Sequence, residues 1–130
     1  MSGSEAPSEQ QVAEWVERYV HAWRTADPDD IAALFSADAE YHEWPYETSL
    51  LGRAAIVDGW LARQPWQEGG WTFDWSLLMI TGDTAAIKGT SVYTELGTFD
   101  NLWTVTVADD RRCRMFRMWN NEAEPTPKSP

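Results

Sequence analysis

Trp71-Thr72-Phe73-Asp74-Trp75-Ser76-Leu77-Leu78-Met79 is the stretch on which the fold turns. Apolar Trp71, Phe73, Trp75, Leu77 and Met79 alternate with polar Thr72, Asp74 and Ser76, the two-residue period of a strand with one buried face. Thr81-Gly82-Asp83-Thr84 then supplies a turn. Past it the pattern predicts strands over 85–96 and 98–107, a turn at Ala108-Asp109-Asp110-Arg111, and a fourth strand ending near Asn120. Upstream the period changes. Val12, Trp15, Val16, Tyr19, Val20 and Trp23 recur at steps of three and four, one apolar stripe on a helix that Ser8 is placed to cap. Asp27-Pro28-Asp29-Asp30 opens a short second helix with Ile31, Leu34 and Phe35 inward; capping accounts for its acids without a metal. A third helix is expected from Gly52-Arg53, with Ile56, Val57, Trp60 and Leu61 inward, stopping before Pro65. Helices followed by an antiparallel meander predict an α+β domain over residues 9–121, with the helices on one face of a sheet. Residues 1–8 and 122–130, polar and Pro-containing, read as disordered tails.

The totals narrow the function. A chain of 130 residues with 43% hydrophobic residues suits one globular domain. A formal net charge of -11 argues against nucleic-acid backbones and anionic membranes as partners. Cys113 has no second cysteine to pair with, and no apolar run reaches the roughly 18 residues of a membrane span, so a cytoplasmic protein is expected. Nine tryptophans exceed what a solid core of this size accommodates, and indoles with N–H groups to satisfy suit the wall of a pocket.

Chemistry is densest at Tyr41-His42-Glu43-Trp44-Pro45-Tyr46-Glu47. On a strand, Tyr41 and Glu43 share one face and His42 and Trp44 the other, until Pro45 ends the run. Without a bulge, one of Glu43 and His42 faces a hollow; either carries acid–base potential. Glu95, Asp100, Asn101 and Arg117 on later strands are further candidates for its mouth. No Ser-His-acid order, phosphate loop or paired Cys/His spacing is present, and His21 falls off the apolar stripe, so neither metal nor cofactor is expected.

Arg18-Tyr19-Val20, Ile31-Ala32-Ala33-Leu34-Phe35, Asp38-Ala39 and Gly52-Arg53-Ala54-Ala55-Ile56, with Leu102-Trp103-Thr104-Val105 and Arg114-Met115-Phe116-Arg117-Met118-Trp119, come in an order that resembles the nuclear transport factor 2-like superfamily. That group includes ketosteroid isomerases and SnoaL-like polyketide cyclases. The resemblance implies a cone: three N-terminal helices on a strongly bent, antiparallel-rich sheet enclosing a pocket. It places Tyr19 as the donor to a developing oxyanion and Glu43 as the carboxylate base. Trp103 falls where ketosteroid isomerases keep a protonated aspartate, a departure, since an indole is neutral and bulkier. Trp44 before Pro45, and Glu in place of Asp, are two more.

The implied activity is that of a small cofactor-free isomerase or cyclase working by acid–base chemistry on a hydrophobic, steroid- or polyketide-like carbonyl compound. Glu43, Tyr19, Trp103 and His42 are the candidate catalytic residues. Trp23, Trp44, Tyr46 and Trp60 are expected to bind substrate, as are Tyr93, Asn101 and Trp119. Two alternatives stand beside it: a non-catalytic module for apolar ligands or self-association, and an epoxide hydrolase with an acid, Arg, acid arrangement. The group's habit of pairing through sheets implies a homodimer, with Phe73 or Trp75 at the interface.

Overall fold

The computed structural model describes residues 7–44, 47–94 and 96–122. Helix α1 (Glu9–Thr25) starts at a capping box: Ser8 Oγ accepts from the Gln11 amide, and Gln11 Oε1 accepts from the Ser8 amide. Its apolar stripe is buried from Val12 to Trp23, and Ala26 closes it in the left-handed conformation at φ 53°. Helix α2 (Pro28–Ala32) is capped by Asp27, whose Oδ1 accepts from the Asp29 amide at 2.8 Å. Helix α3 (Arg53–Ala62) buries Ile56 and Trp60, with Val57 and Leu61 partly covered. No helix among the described residues is long and apolar enough to cross a membrane.

Six strands form one curved, mixed sheet: β1 (Phe35–Trp44), β2 (Thr48–Leu51), β3 (Trp71–Thr81), β4 (Thr84–Tyr93), β5 (Gly97–Val107) and β6 (Cys113–Glu122), in the order β2-β1-β6-β5-β4-β3. The meander β3 to β6 is antiparallel, as its pattern predicts, but β6 then lies parallel to β1. Three boundaries differ from expectation. Strand β1 begins at Phe35, a residue expected on the second helix, and the turn-like Ser36-Ala37-Asp38 lies within the strand, where the pairing with β6 is irregular between Phe35 and Glu40. Strand β2, a short hairpin partner of β1, carries too few alternating residues to signal itself. Strand β4 stops at Tyr93 rather than at residue 96.

Strand register lays the concave face out in rows. Tyr41, Phe116, Val105 and Ala85 form one row. Glu43, Met118, Trp103, Ile87 and Leu77 form the next, and Asn120, Asn101, Gly89 and Trp75 the third. Helix α1 covers the first: Tyr19 stacks on Phe116 at 5.5 Å, and the Trp15 indole donates to the Leu34 carbonyl at 3.1 Å. The third row lies beyond that seal, where Asn120 and Asn101 border a cavity. Phe73 and Trp75 also point to this concave side, with Phe73 stacked 5.1 Å from Trp103.

Gly89 makes that stack possible. A Cβ there would lie 2.5 Å from the Phe73 ring and 3.3 Å from the Asp74 carbonyl, and the ring is held from behind by Trp103. Gly89→Ala is therefore expected to destabilise the fold by about 1–3 kcal/mol, read as a lower midpoint in thermal or urea denaturation.

Candidate functional site

Between α1, β1, the 3-10 turn Gln64–Gln67 and the inward faces of β3 to β6 lies a cavity of about 450 Å³. Its deep end is polar. Glu43, brought inward by the strict alternation of β1, is 3% exposed. Arg63, just past the end of α3, donates from Nη1 to Glu43 Oε1 at 2.6 Å and from Nη2 to Thr48 Oγ1 at 3.2 Å. Its guanidinium also lies 5.1 Å from the Trp66 ring centroid and 5.9 Å from that of Tyr41. Burial works against this cation, but Tyr41 and Glu43 outweigh it and hold Arg63 above its usual range.

Two phenols complete the deep end. Burial, with the neighbouring Tyr41 second, raises Tyr19 well above the ordinary phenol range. Burial, then the charge of Glu43, raises Tyr41 likewise. Both remain protonated donors throughout the neutral range. Aromatic side chains narrow the way out: Tyr93, pushed up to about 12 by burial, stacks on Trp71 at 6.1 Å, and Trp66 and Leu96 stand exposed beside the opening. A buried carboxylate fixed by a guanidinium, beside two protonated phenols in an apolar enclosure, is equipped to move a proton and to receive developing negative charge on oxygen.

Residues 16–121 match the model of the SnoaL-like domain. The chain belongs to the SnoaL-like domain family. No curated protein matches its sequence significantly. Among solved structures, a cystatin-like-fold protein of unknown function from Methylobium petroleophilum is similar at 18% identity and a TM-score of 0.72, over 96% of this chain and 85% of that one. A SnoaL-like protein of unknown function from Burkholderia thailandensis superposes with a TM-score of 0.69 at 17% identity, covering 92% of this chain and 100% of that one. A protein with a ketosteroid isomerase-like fold from Catenulispora acidiphila, in complex with trimethylamine, gives 0.69 at 15% identity, over 90% and 98%. Identities this low establish shared architecture and leave activity to the site.

Within this SnoaL-like domain, Glu43, Tyr19, Trp103, Trp23, Tyr93 and Asn101 all border the one cavity. Four other expectations are corrected. His42, Trp44 and Trp119 lie on the outer face of the sheet, because alternation that turns Glu43 and Met118 inward turns their neighbours out. There His42 Nε2 meets Glu40 Oε1 at 2.9 Å, its Nδ1 meets Ser49 Oγ at 2.8 Å, and its ring stacks on Trp44, which stacks in turn on Trp119 at 5.2 Å. Trp60 belongs to the core, edge-on to Tyr19 at 4.7 Å and to Trp23 at 5.3 Å, and supports the cavity from behind. Tyr46 and Glu95 fall outside the described residues.

Trp103 lines the cavity, with its Nε1 buried and without a hydrogen-bond partner among the described residues. Asp100 and Arg117 sit exposed on the outer face, Asp100 accepting from Thr90 at 3.2 Å, so they do not assemble an acid, Arg, acid site. Among the described residues the cavity is lined by one carboxylate, Glu43. No group of three or more metal-ligating side chains gathers among them either.

Among the polar lining residues, sequence reasoning missed Arg63, Thr48, Ser91 and Asn120, together with Tyr41. Arg63 at a helix C-terminus satisfies the helix dipole and so carries no sign of a distant partner. Tyr41 was findable, since it shares the Glu43 face. Arg63→Leu leaves the Glu43 carboxylate buried and unpaired, with an expected loss of about 3–5 kcal/mol in chemical denaturation. Adding Glu43→Leu should restore most of that loss, whereas an additive or unchanged result would show that the pair carries no coupling.

Proposed function

We propose that this SnoaL-like domain is a proton-transfer enzyme of the isomerase or cyclase type, acting without a cofactor on a hydrophobic carbonyl compound of steroid- or polyketide-like character. The observation that carries the reading is Glu43: a carboxylate 3% exposed, in the wall of an aromatic cavity, with Oε1 held by Arg63 and no hydrogen bond to Oε2 among the described residues. Oε2 takes a proton from the carbon beside the substrate carbonyl and returns it at a second position. Tyr19 donates to the oxygen as the enolate forms, and its raised pKa keeps that donor protonated. Arg63 fixes the carboxylate's rotamer, which limits the reorganisation needed at the moment of transfer. Trp23, Trp103 and Tyr93 supply flat apolar walls that suit fused rings.

The test is solvent deuterium exchange into a panel of 3-ketosteroids and aromatic polyketide ketones. Wild type is expected to wash deuterium into at least one member; Glu43→Gln should lower that rate by about 10²–10⁴-fold and Tyr19→Phe by about 10²-fold or more. Exchange unchanged in Glu43→Gln would remove the reading.

A second reading concerns the outer sheet face, where Trp44, Trp119 and Leu102 lie side by side in register, with Trp119 37% and Leu102 40% exposed. An aromatic stack flanked by leucine on an exposed sheet face is an apolar patch of the kind that pairs subunits, and we propose that two copies associate through it. Sedimentation should then give a dimer for wild type and a monomer for Trp119→Glu. A wild type that stays monomeric at high micromolar concentration would rule this pairing out.

A further inference from the structure

The row next beyond Glu43 on the concave wall begins with two amides, and the proton-transfer scheme does not use them. Asn120 and Asn101 stand directly opposite each other on β6 and β5, and side chains so paired have Cβ atoms about 5 Å apart. Asn101, 5% exposed, donates from Nδ2 to Ser91 Oγ at 2.7 Å and to the Phe99 carbonyl at 3.3 Å. A backbone carbonyl accepts and never donates, so the nitrogen end of the Asn101 amide is fixed toward Phe99 and its Oδ1 is turned away. No hydrogen bond among the described residues reaches that oxygen. Asn120 Oδ1 is buried, also with no partner among the described residues. Both side chains border the cavity.

Two adjacent amides on the cavity wall thus carry acceptor oxygens in want of a donor, the Asn120 oxygen covered by its surroundings in the empty cavity. Leaving them so is unfavourable, and a ligand group that donates relieves the penalty while an apolar group in the same place does not. Inward-facing residues of neighbouring rows are two positions apart along a strand, which sets this pair about 7 Å beyond the level of Glu43. A span of that length matches two fused six-membered rings.

We propose that Asn120 and Asn101 form a hydrogen-bond-accepting subsite, and that the cavity selects a fused-ring carbonyl compound carrying a hydroxyl group about 7 Å from its acidic carbon. The distance rests on Glu43 as the proton-transfer end; the acceptor pair does not.

The experiment measures binding without turnover, by tryptophan fluorescence of the full chain titrated with 2-decalone and with 6-hydroxy-2-decalone. Wild type should bind the hydroxy ketone about tenfold or more tightly than the ketone lacking it. Asn120→Leu should abolish that preference. Asn101→Ala, checked for its fold by circular dichroism, serves as an independent second variant and should reduce the preference in the same way. Equal affinities in wild type, including no measurable binding of either ketone, overturn the proposal, as does a preference that survives in both variants. A preference present in wild type and lost in the variants, together with deuterium exchange unaffected by Glu43→Gln, would keep the acceptor subsite and dismiss the proton-transfer role.

Discussion

A carboxylate at 3% exposure has to be paired, and the pairing of Glu43 with Arg63 organises the deep end of this domain. The requirement reaches backward into the chain. Strand β1 must keep its alternation through Glu43, or the carboxylate would turn to solvent and the guanidinium would be stranded. Helix α3 must end at Ala62 so that Arg63 leaves the helix pointing at β1 and β2, and Thr48 on β2 takes the second nitrogen at 3.2 Å. Even the short β2 hairpin, insignificant as a stabilising element, has a place in this arrangement as the holder of Thr48.

Tryptophan is used in three different ways. Trp15 and Trp60 are core, and Trp15 satisfies its indole by donating to Leu34 at 3.1 Å. Trp23, Trp103, Trp66 and Trp71 form cavity wall and opening, and Trp71 donates to Gln67 Oε1 at 2.7 Å, anchoring the 3-10 turn against β3. Trp44 and Trp119 stack outside. The buried indoles of Trp60 and Trp103 lack partners among the described residues, a desolvation cost tolerated where ring packing on several sides compensates. Rigid ring contacts around Tyr19, at 4.4 Å from Trp103 and 4.7 Å from Trp60, hold its ring in position, and its hydroxyl interacts with that of Tyr41.

Much of the fold was legible in the chain because its signals are local. The α1 stripe, the Asp27 cap, the start of α3 and the Trp71 alternation each lie within one element and depend on periodicity or capping chemistry. Strand facing was legible as a choice: alternation bound Tyr41 to Glu43 and His42 to Trp44, and burial selected the first pair. What escaped depends on pairing across the fold. The parallel return of β6 beside β1, the turn-like Ser36-Ala37-Asp38 that sits within a strand, and the match of Arg63 to a residue 20 positions earlier have no local mark.

By itself, then, the order of residues determined an α+β domain with an aromatic excess and placed Tyr19 and Glu43 as candidates, because helix and strand periods and the family resemblance are properties of short segments. Tertiary structure decided which aromatics enclose the cavity, which face outward, and what Glu43 meets there. Those outcomes follow from sheet register and curvature, where a shift of one residue exchanges the two faces, and register is settled by contacts between segments far apart in the chain.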